Sequence, residues 1–356
     1  MVGRGGLSHH YNIIFRAPGL ADKHGHGPAA IYWQIGKDGF SAIGPMDVDD
    51  LWFFGPGGAK PGMVLSDTDA AALIRARTGI DLPYEIISTD VWTANELLAD
   101  RYADRRIILA GDACHLHPPA GGYGMNMGIG DGVELGWKLA AVLQGWGGPQ
   151  LLSSYEMERR AVHQTVIEEA LANYAIYVAP PPREIEDDTP EGAVVRSRAG
   201  AGIQATKARE FATLGTVLGL CYGSPIIADE PGDALDHDSQ IYQPSARPGC
   251  LAPHAWLADG RSIYDTFGQG FALVACRDAD EAEIAKAGAD ARRLGVPLEV
   301  VRPEDLRVDS LYKANLTLVR PDQHVAWRGD RWTAFLDQAL GWAGATPTEA
   351  ATPREA

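Results

Sequence analysis

The sequence is poor in cysteine, poor in positive charge and without a long unbroken hydrophobic run, and each scarcity closes off a class of function. Its four cysteines, Cys114, Cys221, Cys250 and Cys276, lie 107, 29 and 26 residues apart, and none forms a CxxC pair. That spacing suits neither a disulfide framework nor a zinc ribbon, and it predicts reduced thiols in a cytoplasmic protein. Lys and Arg number 31 against 47 Asp and Glu, a net charge of −16. Such a chain repels phosphate backbones and anionic lipid head groups, so nucleic acid and membrane surfaces are excluded as partners. The uncharged run from Ala212 to Ala228 is broken by three glycines and a proline, too interrupted for a spanning helix. The opening MVGRGGLSHH carries no apolar core of a signal peptide. GxSxG and P-loop patterns are also missing, which leaves hydrolase and NTPase readings without an anchor.

What is present is ordinary globular composition, 46% apolar and 22% charged over 356 residues, enough for about two domains. Short β-type runs alternate with Gly, Pro and Asp turns at Tyr11–Ala17, Ala29–Ile35, Phe40–Gly44 and Asp50–Gly55, predicting an antiparallel sheet. One helix interrupts it, capped near Ser66 or Asp67 and stopped at Gly79. RRIILAG (Arg105–Gly111) reads as a buried strand, followed by a Gly/Pro-rich turn and a helix to about Leu143. That helix carries apolar residues on two stripes, Leu135, Leu139 and Val142 on one and Val133, Trp137 and Ala140 on the other, so burial on both faces is expected. A second long helix runs from Leu151 to about Tyr177, with Tyr155, Val162, Val166, Ala170 and Tyr174 on one stripe, and ends at Pro180–Pro182. REIEDDTPEG then reads as a solvated acidic loop, followed by a helix over Ala205–Gly219. Beyond Pro244 a strand (Phe271–Cys276), a helix (Ala279–Leu294), a strand (Leu298–Val301), a hairpin (Leu316–Trp327) and a last helix from Thr333 form a separate α/β domain.

Chemistry concentrates in Arg105–Leu143. Asp112 follows an apolar strand, and Pro118, Pro119, Gly121, Gly122 and Gly124 make a side-chain-poor loop that leads into a helix near Met125 and Asn126. Such a loop lets a flat ligand approach the backbone. A helix start offers free N–H groups and a positive dipole end, which suit an electron-rich oxygen or a ring nitrogen that becomes anionic.

The string LAGDACHLHPPAGGYGMNMGIGDGVELGWKLAAVL, with YEMERR following at Tyr155, resembles the FAD-dependent aromatic hydroxylases, single-component flavoprotein monooxygenases of the phenol hydroxylase type. The resemblance implies a partial FAD-binding (Rossmann-like) domain of α/β class, an α+β antiparallel substrate-domain sheet and a C-terminal thioredoxin-like domain. It divides the chain into a substrate sheet over residues 1–98, FAD-binding elements over 99–180, a helical linker over 181–243 and the thioredoxin-like domain over 244–345; the tail over 346–356 lacks large apolar residues and is expected to be disordered. Gly111 and Asp112 become the GD motif, whose carboxylate holds ribityl hydroxyls of FAD. Pro119 packs by the reactive edge of the isoalloxazine, Gly121, Gly122 and Gly124 give it backbone access, Met125 and Asn126 face its pyrimidine side, and Asp131 matches a recurrent acidic position. The implied activity is hydroxylation of a phenolic or polycyclic aromatic substrate by O₂ through a C4a-hydroperoxide, with NADPH or NADH as reductant.

The GxGxxG cradle for the FAD pyrophosphate and the second, DG-type motif of that family are not in the sequence, so it reads as a member beginning partway into the pattern. The rival class is a non-catalytic remnant or a binding module completed by another chain. Tyr32, Trp52 and Phe54 are candidates for the substrate pocket, with strand alternation placing Tyr32 and Trp33 on opposite faces so that at most one lines it. His117 and Tyr32 are candidates for a base that ionises a phenol. Cys114, His115 and His117 have no second donor cluster at a fixed spacing, so no metal site is expected. The C-terminal domain lacks CxxC, which assigns it a structural role with a homodimer interface as the candidate.

Overall fold

A computed structural model describes residues 1–46, 50–60, 62–179, 181–232, 236–303 and 305–342. The expected tail at 346–356, and Pro180 at the end of the second long helix, lie outside the described residues. In chain order the elements are β1 (Val2–Arg16), α1 (Leu20–Lys23), β2 (Tyr32–Gly36), β3 (Gly39–Pro45), β4 (Leu51–Pro56), α2 (Asp67–Thr78), β5 (Glu85–Leu98), β6 (Ala103–Asp104), β7 (Ile107–Ile108), β8 (His115–Leu116), α3 (Tyr123–Leu143), α4 (Ser153–Val178), α5 (Pro190–Phe211) and α6 (Leu214–Gly219). They continue with β9 (Phe271–Ala275), α7 (Glu281–Leu294), β10 (Leu298–Val301), α8 (Leu306–Tyr312), β11 (Leu316–Val319), β12 (Val325–Gly329) and α9 (Leu336–Ala339). Two compact units result: residues 1–98, 116–121 and 167–211, and residues 99–115, 122–166 and 212–356.

The first unit is built on an antiparallel sheet whose strands run β2-β3-β4-β1-β5, with β8 at the edge. Tyr11, Ile13 and Phe15 alternate inward along β1 and meet Ala70, Ala71 and Ile74 of α2 in one apolar core. Ser66 caps α2 by accepting the Asp69 N–H at 3.1 Å, and Gly79 ends it at φ 67°, a left-handed geometry that glycine adopts without strain. β5, the long partner of β1, escapes the sequence reading because Asp90, Asn95 and Glu96 blur its alternation. The acidic stretch is shorter than expected. Helix α5 already begins at Pro190, a residue suited to a first helical turn, and Thr189 accepts the Gly192 N–H at 3.0 Å.

The second unit joins α3 and the first half of α4 to a four-stranded sheet of order β10-β9-β11-β12. β9 and β10 are parallel, while β11 runs antiparallel to β9 and to β12. The core beneath this sheet is shared, since Trp137, Ala141, Trp146 and Leu151 pack with Phe271, Leu273, Leu318 and Trp327.

Three expectations fail in this unit. RRIILAG is not a buried strand; only Ile107 and Ile108 pair, with the equally short β6, and Ile107 is 69% exposed because no longer neighbour covers it among the described residues. Helix α3 is not buried on two apolar stripes. Val133 is exposed, and the buried face instead carries Asp131, Glu134, Trp137, Lys138 and Ala141. The charges survive burial because they are paired: Lys138 Nζ donates to Glu134 at 2.6 Å, Ser154 at 2.7 Å and Glu158 at 2.8 Å, and Arg320 donates to Glu158 at 2.8 and 2.9 Å. Burial raises the Glu134 carboxyl, whereas Arg320 and Lys138 overcome burial at Glu158 and hold it low. Finally, Cys221 and Cys250 form a disulfide, and only Cys114 and Cys276 are free thiols. Their 29-residue separation gives no sequence cue, because pairing follows from the fold bringing the backbones together. No helix among the described residues is long and apolar enough to cross a membrane.

Candidate functional site

In the second unit the segment Gly111–Ala113 forms a short turn that aims Asp112 into solvent. Gly111 sits at φ 59°, and a Cβ there would lie 3.9 Å from Gly128 Cα of α3, so the turn lies close against the helix. Its N–H donates to Asp131 Oδ2 at 2.8 Å. Helix α3 starts after Gly122, at φ 67°, with no side-chain cap and no acidic residue in its first turn. Its first N–H groups are therefore available to a ligand. Met125 and Asn126 in that turn are exposed, Gly124 is half-buried, and Asn126 Nδ2 donates to the Gly122 carbonyl at 2.9 Å.

Asp131 is the hub beneath the turn. Fully buried, it accepts Arg159 Nε at 2.7 Å on Oδ1, with His163 Nε2 at 3.0 Å and His115 Nε2 at 3.4 Å. Burial alone would raise its carboxyl, but hydrogen bonds from His115 and His163 and the Arg159 charge hold it well below the usual range. Burial pushes His163 down to about 4 and the Cys114 thiol up to about 12, the latter reinforced by the Asp131 charge. Tyr102 OH pairs with His163 Nδ1 at 2.7 Å. Contrary to the sequence expectation, Cys114 and His115 do meet further donors, Asp131 and His163, all within 4.8 Å. The chemistry of this set favours a hydrogen-bonded hub: the guanidinium of Arg159 shares the carboxylate a cation would need, and the thiol is held protonated. These partners were missed because Asp131 and His163 lie on separate helices and meet only after packing.

In the first unit, the stretch 116–121 packs on the sheet face opposite α2. Ala120 lies with Ala94 and Tyr174, alongside Trp92 and Tyr177, while Pro119 is exposed. Gly121 N–H donates to Glu210 at 3.2 Å; Glu210 also accepts Tyr177 OH at 2.6 Å and Lys207 Nζ at 2.5 Å. Lys207 stands over the Tyr177 ring at 3.3 Å and the Trp33 ring at 4.2 Å. His117, half-buried, places Nδ1 2.9 Å from the Pro118 carbonyl.

The proposed pocket residues lie elsewhere. Register pairs Tyr32 with Ile43, Ile43 with Phe54 and Phe54 with Ile13, which puts Tyr32 and Phe54 on the α2 face; Trp52, paired with Phe15, joins them. Tyr32 and Trp52 line a cavity of about 540 Å³ with His24, Ile43 and Ile80, whereas Phe54 is sealed in the core. Trp33 lines the same cavity despite pointing to the other face, because β2 is an edge strand. Tyr32 OH donates to Gly27 O at 2.5 Å and accepts from Ala29 N at 3.0 Å. The face shared with the 116–121 stretch carries instead His10, stacked on Trp92 at 4.5 Å, and Ser8, within 2.6 Å of His10 Nε2 and hydrogen-bonded to Tyr174 OH.

The sequence matches the FAD binding domain family over residues 1–170 and the aromatic-ring hydroxylase C-terminal family over 245–346. The chain belongs to the FAD-dependent aromatic hydroxylases. Among its relatives, 2,4-dichlorophenol 6-monooxygenase of Delftia acidovorans is 30% identical, the match covering 93% of this chain and 64% of the relative. FAD-dependent monooxygenase apdD of Emericella nidulans is 38% identical over 69% of this chain and 42% of its own length. The solved structure of the rebeccamycin biosynthetic enzyme RebC with reduced flavin superposes at a TM-score of 0.85 with 35% identity, covering 96% of this chain and 65% of that one. The chain thus spans less than two thirds of these relatives' length. FAD is the cofactor of the family, and the start of α3, uncapped by a side chain, together with the exposed Asp112 on the turn packed against that helix fits such a group, offering hydrogen-bond donors and an acceptor.

Proposed function

We propose that the chain serves FAD-dependent, NAD(P)H-consuming hydroxylation of a phenolic or polycyclic aromatic compound. The observation that carries this reading is the Gly111–Asp112 turn, which Asp131 pins against a helix whose N-terminus is uncapped. When bound, FAD supplies hydride acceptance and O₂ activation. Asp112 would accept ribityl hydroxyls, and the free N–H groups of the first turn of α3, at Gly124 and Met125 with the Asn126 side chain beside them, would stabilise negative charge on the pyrimidine side. Pro119, Gly121 and Gly122 keep long side chains out of the ring's path. His117, carried on the loop itself with Nδ1 at the Pro118 carbonyl, and Tyr32, whose hydroxyl is engaged at Gly27 and Ala29, stand as the two base candidates. The thioredoxin-like reading of the C-terminal sheet rests on its strand order and directions.

The test is titration of the purified chain with FAD, followed by flavin fluorescence. Binding is expected to be weak, because no GxGxxG cradle contributes pyrophosphate contacts. Asp112→Ala removes an acceptor worth about 1.5–3 kcal/mol per hydrogen bond, so affinity should fall about tenfold to a hundredfold. Equal affinity in both proteins would remove Asp112 from the site.

A further inference from the structure

The disulfide sits at an accessible site and touches the network that holds the flavin turn. Cys221 is exposed while Cys250 is buried, and both line a cavity of about 390 Å³ with Tyr222, His237 and Arg247. The Cys250 side is rigid: Gly249 N–H donates to Val325 O at 2.7 Å and Val325 N–H to Cys250 O at 2.9 Å, fastening it to β12. The Cys221 side belongs to no helix or strand, and it is held by the disulfide and by Tyr222 N–H donating to Gly249 O at 2.8 Å. Gly249, at φ 92°, has no room for a side chain, since a Cβ would fall 2.1 Å from the Tyr222 carbonyl oxygen. The residue next to Cys221 is thus clamped in place.

Tyr222 is where this clamp meets the hub. Its ring stacks on His324 at 4.2 Å, and its hydroxyl accepts Arg159 Nη1 at 2.9 Å. Arg159 donates from Nε to Asp131 at 2.7 Å, and Asp131 accepts the Gly111 N–H at 2.8 Å. The path from disulfide to flavin turn is therefore Cys221, Tyr222, Arg159, Asp131, Gly111, every link a bond or a contact within one unit.

We propose that Cys221–Cys250 is a thiol-exchange site, taking a low-molecular-mass thiol in the adjoining cavity, and that its opening loosens the Gly111 turn through Tyr222. Disulfides with an exposed sulfur are usually the labile, responsive ones, and Cys221 is exposed. The incoming thiolate attacks Cys221 Sγ, the exposed sulfur, forming a mixed disulfide as the Cys221–Cys250 bond breaks. The electron pair leaves on the Cys250 sulfur, which takes up the proton the attacking thiol gave away. A second thiol then releases Cys221 as a thiol, so that two thiols are oxidised to one disulfide while the protein bond gains two electrons. The consequence for FAD rests on the reading above, but the coupling to Gly111 does not.

Reduced glutathione is the probe, applied to the full chain without FAD, with peptide mass and amide hydrogen exchange as readouts. The expected result is one glutathione on the peptide carrying Cys221, and exchange over Leu109–Cys114 faster by about twofold to tenfold, the size of coupling that packed networks carry. Cys221→Ser with Cys250→Ser should show the fast exchange without thiol. Tyr222→Phe should show it with the disulfide closed, and opening the bond should add nothing more. The proposal is overturned by adducts on Cys250 in place of Cys221, by a bond that stays closed, with neither an adduct nor free thiols at Cys221 and Cys250, or by Leu109–Cys114 exchange that is the same with the bond open and closed. Wild-type protein alone decides these points, so the proposal stands or falls even where a variant fails to fold. Exchange that responds to thiol in a chain that binds no FAD would support the coupling while counting against the flavin reading.

Discussion

Gly111 and Gly121 lie at either end of one glycine- and proline-rich stretch, and each gives its N–H to a buried carboxylate, yet the two carboxylates keep different company. Asp131, in the second unit, is fully buried and faces an arginine, two histidines and a thiol. Glu210, in the first unit, retains slight exposure and faces a lysine and a tyrosine. An arginine partner stays charged at any ordinary pH, whereas a buried lysine shifts readily. Burial does lower Lys207, against the pull of Glu210. The Gly111 anchor is accordingly built for permanence, and the Gly121 anchor is the softer of the two.

The largest effect should come from breaking the harder anchor. Asp131→Ala leaves Arg159 buried without its carboxylate, a change that costs about 3–5 kcal/mol, and a urea melt should show it. Asp131→Asn retains an acceptor for Gly111 and should lose less. Equal losses for the two substitutions would mean that the acceptor offered to Gly111 is immaterial and that the lost charge beside Arg159 accounts for the whole effect.

Acid should separate the anchors next. His163 is held down to about 4, below the ordinary 6.5, so the folded state binds fewer protons than the unfolded one. Its contribution is complete above the ordinary value and is lost as pH falls from there toward 4, with a slope of up to about 1.4 kcal/mol per pH unit. Asp131, whose carboxyl is also lowered, adds to the loss below its own ordinary value of 3.8. In His163→Gln the upper part of this slope should flatten; a melting series from pH 7 to 4 that keeps it would assign the protons to another group.

The softer anchor should yield least. Glu210→Gln keeps an acceptor for Gly121 and Tyr177 and removes only the charge opposite Lys207, a difference of about 1 kcal/mol between charged and neutral hydrogen bonds. Raising pH through the lowered Lys207 value should add stability, since the folded state sheds that proton first. A loss of several kcal/mol in Glu210→Gln would make the two anchors equals.

Local signals carried a good part of this structure. Ser66 and Gly79 bracket α2 as their residue types require, and Leu298–Val301 is a strand with the bounds its composition predicts. The stripe of Tyr155, Val162, Val166, Ala170 and Tyr174 is buried along α4. These elements depend on contacts a few residues apart, which periodicity and capping report directly. β5 was illegible because a strand with mixed alternation is defined by its partner β1 rather than by itself. For the substrate candidates Tyr32, Trp52 and Phe54 the sequence reports only aromatic residues near a sheet; register decides the face, and it turns all three toward α2. His10, Trp92 and Tyr174, on the face that packs with Ala120, come from segments 80 residues and more apart.

By itself the sequence determined the family, through one long string around Gly111–Asp112, and with it the cofactor. It determined the antiparallel character of the first sheet and the order of most C-terminal elements, because both are written in short-range patterns. Only the tertiary structure decided that α3 turns its charges inward, that Asp131 and Glu210 hold the ends of the loop, and that Cys221 finds Cys250. A charge or a thiol in a sequence has no partner until packing supplies one, and burying it without a partner costs more than the fold can spare.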